Sequence, residues 1–156
     1  MIGTLPEPPA DELWRAHADE LLKFATVLAG PHDAYDIVAD TMLTASAAAS
    51  APGVTNRRAY LFRAVANRAH DEHRRRKRRW ARDLAAVGPE STTQPDDFSE
   101  VRRAVARLSV QQRAVVYLAY WEDLPEREIA EMLEQSPGTV HRTLQRARET
   151  LRKALQ

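Results

Sequence analysis

The stretch from Ser136 to Gln156 constrains the fold of this chain most. Ser136 followed by Pro137 is a helix start, because a serine oxygen can accept an early backbone N–H and a proline at the first helical position lacks the N–H that would go unpaired anyway. Val140, Leu144, Ala147, Leu151 and Leu155 then recur at steps of four, three, four and four, which predicts one long helix with a continuous buried stripe. At 3.6 residues per turn the opposite face carries Gly138, Arg142, Gln145, Arg146 and Glu149, with His141 and Arg148 on a flank. A short helix with Glu128, Ile129, Ala130, Met132 and Leu133 precedes it across a tight turn at Glu134-Gln135. Together these form a helix-turn-helix. Its second helix has the residue types that read DNA: Arg and Gln match guanine and adenine edges, Gly138 permits close approach, and the first-turn N–H groups can hold a phosphate. The alternative is an amphipathic helix with a merely solvated charged face.

The rest of the chain also reads as helix. Asp11 is placed to cap a first helix through Leu13, Trp14, Leu21, Phe24, Val27 and Leu28, ended by Gly30-Pro31. A second is expected from Asp33 through Ile37, Val38 and Met42 to Ala49, broken at Ala51-Pro52-Gly53. A third starts near Thr55 or Asn56, carries Ala59, Phe62, Val65, Ala66 and Ala69, and runs into Arg74 to Arg79. Periodicity fades from Asp83 to Asp97, where the polar, proline-containing composition is that of a flexible linker. It returns with Val101, Ala104, Val105 and Leu108. Ser109 to Gln112 is then a capping box opening a helix with Val110, Ala114, Val115, Leu118 and Trp121 on its apolar side. Leu124-Pro125 opens the short helix of the helix-turn-helix, with proline in its first turn. The expected fold is all-α: two small helical domains, 11–82 and 98–156, joined by a flexible linker at 83–97.

A net charge of +1 conceals strong segregation. Residues 51–82 hold 11 basic and 2 acidic side chains and residues 135–156 hold 5 and 1, whereas 1–50 hold 2 and 8 and 83–134 hold 5 and 11. Two separate basic blocks suit two contacts with a polyanion. The acidic blocks would repel DNA and are expected to face solvent or another partner. With no cysteine, the chain has neither disulfides nor thiolate metal sites. His70 and His73 share a helical face but lack further ligands at a plausible spacing, and no phosphate loop or nucleophile motif is present, so neither metal, cofactor nor catalysis is expected. No apolar run reaches membrane-spanning length and Met1 to Ala10 is unlike a signal peptide, so a soluble cytoplasmic protein is expected.

The motifs in family order carry a resemblance. Leu108 to Leu155, with Arg113, Glu128-Ile129-Ala130, Gly138-Thr139-Val140 and Arg146-Ala147-Arg148, resembles the sigma-4 domain of bacterial sigma factors, most of all the small extracytoplasmic-function (ECF) group of the sigma-70 family. Asp33 to Val38 resembles the second-helix motif of the sigma-2 domain, and Ala59 to Arg63 with Ala66-Asn67-Arg68 and Asp71 resembles its third. The resemblance implies a transcription initiation factor that binds core RNA polymerase at the β′ clamp helices and β flap and directs it to promoter DNA. It places Asp33, Asp36 and Asp40 at the clamp contact; simple compensation of a helix dipole is the alternative for these acids. It makes Arg57, Arg58, Arg63, Asn67 and Arg68 candidates for the minus-ten element, with Arg74, Arg75 and the rest of the arginine run as a less specific anchor. Tyr60 is available for base stacking or for the core. The minus-thirty-five element would fall to Ser136, Gly138, Thr139, His141, Arg142, Gln145, Arg146 and Arg148. The linker would thread toward the active-site and RNA-exit region of polymerase. An anti-sigma partner is a further implication of the resemblance.

Two departures stand out. Residues 39–50 lack the aromatic and basic stretch that relatives use in promoter melting, and His141-Arg142-Thr143 moves the family's cation by one position, about 100° around the helix. The promoter sequence therefore cannot be borrowed from relatives. The alternative reading is a sigma-like regulator that binds DNA without recruiting polymerase or melting promoters.

Overall fold

The computed structural model describes residues 9–49, 53–83 and 99–156. Among these, every regular element is helical: α1 Pro9–Ala29, α2 Pro31–Ala49, α3 Arg57–Asp83, α4 Ser99–Ala106, α5 Val110–Val116, a π-helical turn Tyr117–Trp121, α6 Glu126–Leu133 and α7 Pro137–Ala154. The linker expected at 83–97 lies outside the described residues, apart from Asp83 at the end of α3.

In the N-terminal part, α1 and α2 are joined by Gly30 alone. Its φ of +87° is a backbone setting that glycine adopts without steric cost. Pro31 follows as the first residue of α2, two positions before the start expected at Asp33, because proline is tolerated where the N–H has no helical partner. Asn56 caps α3 by accepting the Ala59 N–H on Oδ1 at 3.0 Å. Leu21, Phe24 and Leu28 of α1, Ile37, Val38 and Met42 of α2, and Leu61, Phe62 and Val65 of α3 are buried. Thr41 is buried among them, with its hydroxyl donated to the Ile37 carbonyl at 2.7 Å. From His73 to Arg82 every residue of α3 is exposed.

In the C-terminal part the capping box forms as expected. The Gln112 N–H donates to Ser109 Oγ at 3.1 Å and the Ser109 N–H to Gln112 Oε1 at 3.0 Å. The apolar register of α5 does not continue as expected. The helix widens into a π turn in which the Glu122 N–H reaches the Tyr117 carbonyl five residues back. Tyr117 and Leu118, at the start of that turn, point inward, while Trp121 at its end is 68% exposed. Pro125 is the N-cap of α6 and not a first-turn residue, with ψ 155°. Glu134 takes the left-handed conformation (φ 52°) that ends α6. Ser136 then caps α7 through the Thr139 N–H at 3.1 Å, with Pro137 at the first position. The stripe of α7 is shorter than its sequence pattern. Val140, Leu144 and Ala147 are buried and Leu151 half-buried, but Leu155, the C-cap beyond the last helical residue Ala154, is 51% exposed.

One apolar cluster runs unbroken from α1, α2 and α3 into α5, α6 and α7. Phe24 is its centre: its ring lies 4.9 Å from Phe62 and 5.1 Å from Tyr117. Arg113 ties the two parts by donating Nη1 to the Leu28 carbonyl at 2.6 Å and Nε to the Leu108 carbonyl at 3.0 Å. Burial lowers its pKa. The Tyr117 hydroxyl is buried in the same seam without a hydrogen-bond partner among the described residues. Burial, then the charges of Glu122 and Glu20, push its pKa up to about 12. Its ionisation is therefore resisted in the fold and permitted in the unfolded chain. The resulting stability is present below about pH 10 and is lost as pH rises toward about 12. Tyr117→Phe should remove that alkaline sensitivity. Because it also deletes an unsatisfied buried hydroxyl, it should stabilise the fold by about 1–3 kcal/mol in urea melts.

Candidate nucleic-acid interface

The exposed face of α7 carries Gly138, His141, Arg142, Gln145, Arg146, Arg148 and Glu149, while Ser136 is exposed at its cap and Thr139 is half-buried. A Cβ on Gly138 would meet only Arg142 Nη1, at 4.0 Å, so internal packing does not require glycine there. His141 is held from behind by the Glu126 carboxylate of α6, at 2.9 and 3.1 Å from Nδ1. Arg142 and Arg146 have no carboxylate partner among the described residues. Arg148 differs: its Nε donates to the Tyr120 hydroxyl and its guanidinium lies 5.6 Å from the centre of that ring. Tyr120, 59% exposed, was absent from the sequence-derived set because a contact across 28 positions leaves no local pattern.

Along α3 the candidates divide. Arg57 and Arg74 are exposed and pair with no carboxylate among the described residues, and Arg75 lies 4.0 Å from Glu72. Asn67 is exposed beside a small hollow that also contains His70, Gln111 and Gln135. Tyr60 is half-buried against the core, with the Arg63 guanidinium 5.1 Å from its ring centre. Arg58 lies over Phe62 at 4.7 Å, bonds Glu20 at 3.0 Å and reaches Glu122 at 2.7 Å. Burial alone would lower its pKa, but the hydrogen bonds and charges of Glu20 and Glu122 raise it. Arg63 pairs with Glu134 at 2.8 Å. Parts of the acidic block at 83–134, expected to face solvent or another partner, thus meet this chain's own basic block.

The α2 acids divide similarly. Asp33 pairs with Arg76 and Asp40 with Arg68, bracing α2 against α3. Asp36 is exposed without an ion pair among the described residues, close in sequence to exposed Tyr35, whose ring meets Trp14 edge-on at 6.0 Å. No group of three or more His, Asp or Glu that could hold a metal occurs among the described residues, and none of their helices is long and apolar enough to cross a membrane.

Residues 13–79 match the family model for sigma-70 region 2, and residues 98–151 match that for sigma-70 region 4. The ECF RNA polymerase sigma factor SigM of Mycobacterium tuberculosis is 32% identical over 152 residues, covering 93% of this chain and 76% of SigM. The chain belongs to the ECF group of sigma factors. SigL of the same organism, also an ECF RNA polymerase sigma factor, is 34% identical over 160 residues, covering 92% of this chain and 87% of SigL. The RNA polymerase sigma-E factor of Streptomyces antibioticus is 32% identical over 159 residues, covering 94% and 84%. In fold, this ECF chain is similar to the sigma factor RpoE of Bartonella quintana, solved in complex with the anti-sigma factor NepR. The TM-score is 0.73 with 24% identity, covering 93% of this chain and 95% of RpoE.

Proposed function

We propose that this ECF sigma factor binds core RNA polymerase in the cytoplasm and directs it to promoters through two DNA contacts, with no catalysis of its own. The observation that carries this reading is α7: a capped helix anchored by Val140, Leu144 and Ala147, with Arg142, Gln145 and Arg146 left outward. In this reading α7 enters the major groove of the minus-thirty-five element. Arg142, Gln145 and Arg146 meet base edges or phosphates, Gly138 and Thr139 admit the backbone, Ser136 orders the first turn, and His141 and Arg148 flank the groove. Arg57, Arg58, Tyr60, Arg63, Asn67 and Arg68 serve the minus-ten element, with Arg74 and Arg75 as electrostatic support. Asp36, the outward acid of α2, leads the polymerase contact, with Asp33 and Asp40 beside it. The chain divides in function at 83–97, between a polymerase-and-minus-ten segment (11–82) and a minus-thirty-five segment (98–156).

The test is transcription reconstituted from core RNA polymerase, this protein and a library of genomic DNA fragments. The expected result is enrichment of transcripts that start a fixed distance downstream of a two-part sequence. Transcripts indistinguishable from those of core enzyme alone would leave the stand-alone DNA-binding regulator as the better account.

A further inference from the structure

His141 stands one turn into α7, with its Nδ1 at 2.9 and 3.1 Å from the two oxygens of Glu126 at the start of α6. An ionised carboxylate only accepts hydrogen bonds, so Nδ1 carries a proton and donates it. The second ring nitrogen, Nε2, has no hydrogen-bond partner among the described residues, and half of the side chain is open to solvent. Nε2 is therefore an acceptor when the ring is neutral and a donor when it is charged. The charges around the ring oppose one another. Glu126 favours the charged ring, whereas the positive end of the α7 dipole and Arg142, the next residue, disfavour it. Arg127, beside Glu126 on α6, pairs with Glu131 at 3.9 Å, and Arg113 of α5 is taken by the carbonyls of Leu28 and Leu108. Among the described residues no second carboxylate, Glu100 of α4 included, comes within 4.0 Å of a ring nitrogen.

A DNA acceptor at Nε2 tips this balance. A phosphate oxygen, or O6 or N7 of guanine, accepts a hydrogen bond from the charged ring but meets only a lone pair on the neutral one. We propose that His141 and Glu126 form a proton-coupled DNA contact: on binding, the ring takes a proton from solvent and donates from Nε2 to a phosphate or a guanine edge, while Glu126 holds Nδ1. Glu126 is then a positioning residue, on the first helix of the helix-turn-helix, for a reader on the second. The proposal rests on the reading of α7 as the helix that meets DNA. Its sign follows from linkage. The complex holds one proton more than its free components, so affinity is greatest at low pH and falls as pH rises, by at most about tenfold per pH unit for one proton.

Binding of the polymerase-bound protein to a promoter recovered from the transcription library is measured from about pH 6 to about pH 8.5, a range that spans imidazole titration. The proteins compared are wild type, His141→Gln, His141→Arg and Glu126→Gln. A glutamine at 141 can donate but takes up no proton, so subtracting its profile cancels the other titrating groups, those of polymerase included. Across the range, wild type is expected to weaken roughly tenfold more than His141→Gln. His141→Arg, charged throughout, should lack that extra fall. Glu126→Gln should move the fall to lower pH, because the ring then charges with no carboxylate behind it. At low pH a guanine contact shows as a preference at one promoter position that His141→Gln relaxes. A phosphate contact shows instead as a salt slope steeper than that of His141→Gln by about 0.9. Either supports the proposal. Identical profiles for wild type and His141→Gln would overturn it, leaving a pair that only ties α6 to α7. A fall that His141→Gln removes and Glu126→Gln does not move would overturn the part given to Glu126. Should Arg142→Ala with Arg146→Ala cost no affinity at any pH, the reading of α7 fails and the proposal with it. A flat wild-type profile with that loss intact sinks the proposal alone.

Discussion

Phe24→Ala is expected to destabilise the whole described fold by about 3–5 kcal/mol, the usual cost of deleting a fully buried aromatic ring. Phe24 is completely buried, and its ring touches Phe62 of α3 on one side and Tyr117 of the π turn on the other. The void would therefore open between the two halves as well as within the first. Urea unfolding followed by helical circular dichroism measures the loss. Tryptophan fluorescence reports each half separately in variants retaining Trp14 or Trp121 alone. Both signals should shift to lower urea together. A shift confined to Trp14 would mean that the halves do not share the cluster seen here.

The second large effect concerns DNA. Arg142→Ala combined with Arg146→Ala should cost polymerase-bound protein about 1–3 kcal/mol for each arginine that makes a bidentate base contact. Any that meets phosphate should instead flatten the salt slope by about 0.9. Both side chains are exposed, so the fold should hold, and the expected loss is of promoter affinity at constant helicity. The assay is binding of reconstituted polymerase to a promoter recovered from the transcription library. Arg148→Ala should cost less, because Arg148 already donates to Tyr120 and leaves a smaller share of its donors for DNA.

What could be read from the sequence was local. Ser136-Pro137, the capping box at Ser109 to Gln112 and the Val140–Leu144–Ala147 stripe are decided within one or two helical turns, and each forms as the residue types dictate. The exposed cationic face of α7 follows from the same periodicity. Trp121 was misplaced because it ends a π turn, and a residue pattern read at 3.6 per turn carries no sign of one. Leu155 was misplaced because periodicity shows which face is apolar but not where the helix ends. The pairs Arg58–Glu122, Arg63–Glu134 and Asp33–Arg76 lay beyond reach for a different reason. Each joins distant residues whose types would serve equally well in solvent or against DNA, so only the packing of the helices reveals them. The segregation of charge into blocks was visible; that one block would answer another was not.

Binding of labelled, purified protein to core RNA polymerase, followed by fluorescence anisotropy without DNA and at moderate salt, decides whether the chain joins polymerase as a subunit. The expected result is tight binding that Asp36→Arg weakens about tenfold or more, since the reversal sets like charges against each other at the exposed face of α2. A protein with intact helicity that fails to bind core polymerase would contradict it.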